Sequence, residues 1–139
     1  GPRQRPDMAV HKFLRAAMAG SPIGVYGDGE QTRDFTFVAD AVTATAAAGA
    51  RGVPGRVYNI GGGSRVSVNQ VLDVIGRVCG RRLDVRREDK QKGDMRDTFA
   101  DTTRAQADLG FAPTITIADG LRAEYEWLAT SLGRGGMER

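Results

Sequence analysis

The chain has 139 residues, 40% of them hydrophobic and 27% charged, and this balance excludes a disordered or fibrous segment and predicts one globular domain. Its net charge of +3, from 20 basic and 17 acidic residues spread along the chain, indicates no particular partner. No apolar stretch approaches the roughly 20 residues of a membrane span, and the single cysteine cannot form an internal disulfide, so we expect a cytoplasmic protein that does not contact a membrane.

The first half of the chain predicts two helices separated by short extended pieces. Apolar residues recur at helical spacing and stop at Gly20, which indicates an amphipathic helix over residues 7–19. A strand is predicted over 23–26, before a glycine-containing turn. A second extended piece over 35–38 is expected to run into an alanine-rich helix over 39–50.

The second half continues to alternate strands with helices, which places the chain in the α/β class. One domain is predicted over residues 1–132, followed by a flexible tail over 133–139. The elements predicted after residue 50 are a strand over 56–60, a helix from a Ser67 cap to Gly80, a strand over 83–87, a short helix capped by 101–103 and ending at 109–110, and a terminal helix over 117–132.

The run from Gly27 to Asp34 reads Gly-Asp-Gly-Glu-Gln-Thr-Arg-Asp. Glycines permit a positive φ and close backbone approach, and the planar guanidinium of Arg33 suits phosphate oxygens, so a diphosphate is a fitting ligand. The alternative is a hairpin turn in which Arg33 is solvated or ion-paired, because short glycine-containing patterns are common. The run alone does not separate the two.

Further short motifs occur in a fixed order around this run. They are Gly-Pro-Arg-Gln at 1–4, Val-Tyr-Gly-Asp-Gly at 25–29, Arg-Asp-Phe at 33–35, Val-Ala-Asp at 38–40, Tyr-Asn-Ile-Gly-Gly at 58–62, Gly-Asp-Met-Arg-Asp-Thr at 93–98 and Ala-Asp-Thr at 100–102. Together they resemble extended short-chain dehydrogenases/reductases acting on nucleotide sugars, nearest to UDP-glucuronate and UDP-glucose 4-epimerases. The resemblance runs from residue 1 to about 128. It implies the C-terminal nucleotide-sugar-binding portion of that fold, with the N-terminal Rossmann half absent.

The resemblance also implies how a UDP-sugar would be held. Gly24 and Tyr26 would offer backbone groups to a uracil-like base, and Arg33 would bind the diphosphate. The other residues it implies are Asn59 as a second polar contact, Arg96 closing from the other side, Met8 packing on the nucleotide unless it is a core residue, and Gln4 and Arg5 facing the sugar.

Chemistry in this family depends on a tightly held NAD and a Tyr-x-x-x-Lys pair. The residues four places after the three tyrosines, Tyr26, Tyr58 and Tyr125, are Glu30, Gly62 and Ala129. Gly61-Gly62-Gly63 lacks the spacing of a dinucleotide-binding turn and indicates a turn at a strand end. We therefore expect no catalytic residue and no NAD held by this chain alone, which is interpreted as the substrate-binding fragment of an NAD-dependent UDP-sugar 4-epimerase. A dehydratase or decarboxylase parent stays open.

The start at Gly1, without an initiator Met or signal-peptide core, predicts a chain cut from a longer one, whose partner is the missing Rossmann half or a second copy. A non-catalytic binding or assembly module is the alternative function. The lone His11 is expected on a helix surface, and no metal site is predicted. A basic run lacks aromatic residues and contains acids, so we expect a solvated face and no nucleic-acid partner. Its residues are Arg81, Arg82, Arg86, Arg87, Lys90 and Lys92.

Overall fold

The computed structural model describes residues 1, 3–89 and 95–135, with side chains up to residue 132. Within these residues the order of elements is α1 (Ala9–Ala19), β1 (Ile23–Tyr26), β2 (Thr32–Asp34), α2 (Val38–Arg51), β3 (Arg65–Ser67), α3 (Val68–Cys79), β4 (Val85–Glu88), α4 (Thr103–Leu109) and α5 (Ile117–Gly135). Several predictions fall outside the described residues, namely those on Pro2, Lys90, Lys92, Gly93, Asp94 and residues 136–139 of the tail.

The strands form two separate pairs. β1 and β4 are parallel, in a register that places Ile23 beside Val85 and Tyr26 beside Glu88. β2 and β3 are antiparallel, and Thr32 forms a further parallel bridge with Asp97. Short strands alternating with helices confirm the predicted α/β class.

Two apolar clusters hold the helices in place. The larger one packs α1, α3 and α5 around β1, and the smaller one joins α2 to α4. Burial of side chains such as Leu14 and Ile75, both 0% exposed, removes apolar surface from water and stabilises the larger cluster. The packing of these three helices therefore holds β1 in place.

Local chemistry sets the ends of α3 where the sequence predicted them. The Ser67 hydroxyl accepts a hydrogen bond from the Gln70 backbone N–H at 3.1 Å, and the Gln70 side chain accepts one from the Ser67 N–H at 2.8 Å. This reciprocal capping box satisfies two N–H groups that a helix start leaves unpaired. Gly80 ends α3 in the left-handed conformation, with a φ of 63°. Gly20 ends α1 in the same way, with a φ of 68°.

The strand predicted over residues 56–60 does not form. Val57 is 72% exposed, and its carbonyl accepts a hydrogen bond from the Arg104 side chain. The Tyr58 hydroxyl binds Asp108. The β-branched and aromatic composition favours a strand only where a neighbouring strand supplies a ladder, and the described residues supply none to this segment.

Two boundaries also differ from prediction. The second extended piece lies at Thr32–Asp34 rather than at 35–38, because the ladder is set by pairing with β3, which the sequence did not predict. The terminal helix continues to Gly135, beyond the predicted end at 132, so the first three residues of the expected tail are helical.

The prediction that His11 lies on a helix surface is wrong. His11 is 6% exposed and its Nδ1 lies 3.4 Å from Oε1 of Glu124, which is 0% exposed. The pair joins α1 to α5, and the Gly1 amino nitrogen lies 3.4 Å from the other carboxylate oxygen. In the part of the chain that the structure describes, no three His, Cys, Asp or Glu side chains are grouped as a metal site.

Candidate functional site

A cavity of about 750 Å³ lies between α1, β1, β2, the start of α3 and the end of β4. Ligand sites in proteins commonly have volumes of roughly 300–1,000 Å³. Apolar side chains, including Phe13, Phe35 and Val71, form much of its wall. Charged residues of both signs line it as well, namely Lys12, Arg33, Asp7, Asp34 and Glu88. The cavity has the size and the mixed character of a site for a small polar molecule.

Four of the residues that the family resemblance implied line this one cavity. They are Met8, Gly24, Tyr26 and Arg33. In β1 the side chains of Ile23 and Val25 are buried, so the alternation of the strand turns Gly24 and Tyr26 outward. The strand thus presents Gly24 and Tyr26 as the floor of the cavity, and Arg33 lines the same cavity from β2.

Asn59 and Arg96 do not line the cavity. The Asn59 side chain is exposed and donates to the Asp101 carbonyl at 3.4 Å. The Arg96 side chain is 62% exposed and lies 3.7 Å from the Asp28 carboxylate. An exposed ion pair of this kind stabilises little and can rearrange. The structure therefore places Asn59 next to Asp101 and Arg96 next to Asp28, outside the cavity lining.

Arg33 is held by the backbone around it. Its NH1 group donates to the Thr32 carbonyl at 2.7 Å and to the Arg96 carbonyl at 3.3 Å. A guanidinium is planar and carries five N–H donors, and these bonds help to orient the group. Arg33 can present a charged, directional edge to phosphate oxygens in the cavity.

The turn after β1 is fixed by α3. Asn69 accepts a hydrogen bond from Arg87 at 2.7 Å, and its amide donates to the Asp28 carbonyl at 3.1 Å. The Asn69 backbone N–H donates to the Gly29 carbonyl at 3.0 Å. Gly29 has a φ of 76°, a conformation that favours glycine. The turn between the floor and Arg33 is therefore set before any ligand binds.

We expect Gly29→Ala to destabilise the chain by about 2 kcal/mol, since it adds a strained φ and places a methyl group on Asn69 and Arg87. Gly55→Ala is the matched control, because Gly55 has a φ of 77° but open space around the added carbon. It should cost about 1 kcal/mol. Urea unfolding followed by circular dichroism measures both, and equal losses would show that contacts of the turn with Asn69 and Arg87 contribute nothing.

Asp34 ties three segments together beside Arg33. Its carboxylate accepts hydrogen bonds from the Gly62 N–H at 2.6 Å and the Ala100 N–H at 3.1 Å. Nearby, the Thr32 hydroxyl donates to Asp97 at 2.5 Å and holds the pKa of that carboxyl below its usual range. These carboxylates therefore bind groups of their own chain.

Sequence reasoning missed several polar residues of the cavity, among them Lys12, Gln31 and Glu88. Lys12 lies one helical turn after Met8, on the same face of α1, and this spacing could have revealed it. Gln31 donates to the Tyr26 carbonyl at 2.9 Å. Glu88 enters from β4, and no local signal in the sequence indicates that this strand pairs with β1.

The chain is similar in sequence to known nucleotide-sugar epimerases and dehydratases. Residues 1–61 match the model of the NAD dependent epimerase/dehydratase family. Over 131 residues the chain is 38% identical to the uncharacterized UDP-glucose epimerase YtcB of Bacillus subtilis, covering 94% of this chain and 42% of that protein. It is 38% identical to a dTDP-glucose 4,6-dehydratase of Streptomyces griseus, covering 91% and 39%.

A crystal structure of UDP-glucuronic acid 4-epimerase from Bacillus cereus, in complex with UDP-glucuronic acid and NAD, matches with a TM-score of 0.89 at 34% identity. The match covers 94% of this chain and 42% of the epimerase. The resemblance to NAD-dependent nucleotide-sugar epimerases and dehydratases is confirmed. The chain spans about two fifths of the length of these relatives, and its fold corresponds to their C-terminal part.

The glycine cluster at residues 61–63 lacks the structure of a dinucleotide-binding turn. A Cβ added to Gly61 would meet the Asp34 carboxylate, and one added to Gly62 would meet the Phe35 carbonyl. The close approach that these glycines allow is therefore used by the chain itself. A strand, β3, follows the cluster, whereas a dinucleotide-binding turn opens directly into a helix.

Proposed function

We propose that the chain is the C-terminal nucleotide-sugar-binding part of an NAD-dependent UDP-sugar 4-epimerase. The observation that carries the proposal is that Met8, Gly24, Tyr26 and Arg33 all line one cavity of suitable size. They come from three different elements, so a common position is not a trivial result of their order in the chain. The structure of the Bacillus cereus relative in complex with UDP-glucuronic acid and NAD supports the ligand class.

In this proposal the base and the diphosphate of a UDP-sugar bind at different ends of the cavity. The base lies on the floor formed by Gly24 and Tyr26, and the diphosphate lies toward Arg33, whose charge and planar donors suit it. Met8 covers the nucleotide from α1, and Arg96 and Asn59, which lie outside the cavity lining, are the further contacts that the family resemblance implies. NAD and the residues that exchange protons and hydride with the sugar belong to the remaining part of the protein.

Calorimetric titration of the chain with UDP tests the binding site. We expect measurable binding that Arg33→Ala weakens roughly 10- to 100-fold, the effect of losing hydrogen bonds to a charged group. Arg33→Lys should fall between, because it keeps the charge but loses the fork. Arg122→Ala, an exposed arginine of α5, is the matched control and should bind like the wild type.

Two outcomes would contradict this proposal. Equal affinity in wild type and Arg33→Ala, both shown to be folded by circular dichroism, would remove Arg33 from the site. Epimerase turnover by this chain with added NAD would contradict the division of roles. A Tyr-x-x-x-Lys pair encoded shortly before Gly1 would support a parent epimerase or dehydratase. The dehydratase stays an alternative because the chain is similar to the dTDP-glucose 4,6-dehydratase of Streptomyces griseus.

A non-catalytic assembly module is the second candidate, and exposed apolar side chains favour it. Val38 and Val42 lie four residues apart on α2 and are 46% and 61% exposed, and Val57 is 72% exposed. Such a surface suits contact with the remaining half of the protein or with a second copy. Size-exclusion chromatography over a range of concentrations separates the candidates, since a stable monomer argues against an unpartnered interface.

We place the protein in the cytoplasm. Its single cysteine, Cys79, is half-buried in α3, and burial raises the pKa of its thiol despite the nearby charge of Arg81. An inert, unpaired thiol suits a reducing compartment. None of the helices in the described residues is long and apolar enough to cross a membrane.

A further inference from the structure

A carboxylate occupies the floor of the cavity. Glu88, the last residue of β4, lies beside Tyr26 in the parallel register and lines the cavity. A Cβ built on Gly24 would come within less than 3.0 Å of Glu88 Oε1. The Glu88 carboxylate therefore fills the space that a side chain at position 24 would take, and the absence of that side chain allows its position.

The fold makes no use of this carboxylate. Among the described residues, the Glu88 side chain has no hydrogen bond and no ion pair. Asp34, which lines the same cavity, instead binds the backbone N–H groups of Gly62 and Ala100. An ionised carboxylate can only accept hydrogen bonds, so Glu88 offers acceptors to a ligand and disfavours a ligand that presents a lone pair there.

The backbone of β1 offers polar groups next to Glu88. The N–H groups of Ile23 and Gly27 donate to β4, to the carbonyls of Asp84 and Glu88, at 2.8 and 2.9 Å. Because these groups alternate along a strand, those of Gly24 and Tyr26 face the other edge, where the described residues supply one hydrogen bond, from Gln31 to the Tyr26 carbonyl. A planar base can meet this edge and the Glu88 carboxylate together.

We propose that Glu88 selects the base of the nucleotide by accepting its ring imino N–H. The inference rests on the proposed function, which places the base against Gly24 and Tyr26. Uracil and thymine carry this N–H at ring position 3, whereas cytosine has a lone pair there that the carboxylate repels. A site built to accept one N–H rejects the analogue that lacks it more strongly than a merely apolar pocket would.

Calorimetric titration of UDP and CDP against the chain tests the inference. The wild type should prefer UDP by about tenfold or more, and Glu88→Gln should bring the ratio close to one, because an amide can donate as well as accept. Asp84→Asn is the matched control. Asp84 also carries a carboxylate next to β4, but it pairs with Arg86 at 3.3 Å and does not line the cavity, so its variant should keep the preference.

Each other outcome overturns the inference in a recognisable way. An unchanged UDP-to-CDP ratio in folded Glu88→Gln, with UDP binding still weakened by Arg33→Ala, rejects the role of Glu88 and keeps the proposed function. A loss of UDP affinity in Glu88→Gln that disappears with 2′-deoxyuridine diphosphate assigns the carboxylate to the ribose instead. No binding of UDP to the wild type rejects both the proposed function and this inference.

Discussion

Replacing Gly62 with alanine is expected to destabilise the chain by about 3 to 5 kcal/mol, an effect large enough to unfold many domains of this size. The added carbon would lie well within 3.0 Å of the carbonyl oxygen and carbon of Phe35. Both are backbone atoms, so no rotamer change relieves the overlap. A shift of the Gly62 backbone would break its 2.6 Å hydrogen bond to Asp34. Urea unfolding followed by circular dichroism measures the loss.

Gly49→Ala is the matched control for this substitution. Gly49 lies in α2, and a carbon added there has open space within 4 Å. Since alanine is the better helix former, this variant should gain roughly 0.5 to 1 kcal/mol. If Gly62→Ala unfolds at the same urea concentration as the wild type, Gly62 does not pack closely on the backbone of Phe35.

Replacing Asp40 with alanine is expected to cost about 2 to 4 kcal/mol. Asp40 is 5% exposed, and it accepts hydrogen bonds from the Thr114 N–H and hydroxyl at 3.1 and 2.9 Å and from the Ile115 N–H at 3.2 Å. Its loss leaves these donors without an acceptor in a poorly solvated place. The bonds connect the start of α2 to the segment before α5, so the variant should loosen both.

The stability that the Asp40 carboxylate contributes should depend on pH. Burial raises its pKa, but the hydrogen bonds from Thr114 and Ile115 outweigh burial and hold the pKa below the ordinary value of 3.8. A pKa that is lower in the folded state contributes stability above 3.8, and this contribution is lost as the pH falls through the folded pKa. The stability difference between wild type and Asp40→Asn should therefore shrink below about pH 4.

Helix ends could be read from the sequence because their determinants are local. Ser67 and Gln70 are three residues apart, and Gly80 and Gly110 adopt the left-handed conformation at the positions where apolar spacing stops. Strands depend on remote partners. The residues at 56–60 have strand composition without a partner among the described strands, whereas β3, with Arg65 exposed, forms because β2 pairs with it.

Part of the cavity lining could be predicted from short motifs. Gly24, Tyr26 and Arg33 belong to the runs around the glycine turn, and all three reach the cavity. Glu88 could not be predicted, since its place depends on a register between strands more than 60 residues apart. The same reason explains the error at His11, because its buried partner Glu124 is 113 residues away.

The pairing of β1 with β4 has a consequence for how the binding site forms. The two strands are parallel, so the chain between Tyr26 and Val85, which contains β2, α2, β3 and α3, must return from the end of the first strand to the start of the second. Closing so long a loop is slow and entropically costly, and it is rewarded only when the strands meet the packed helices. We therefore expect the floor of the cavity to form late in folding. A short peptide with the Gly27 to Asp34 run would contain Arg33 but would lack the β1–β4 pair that forms the floor of the cavity.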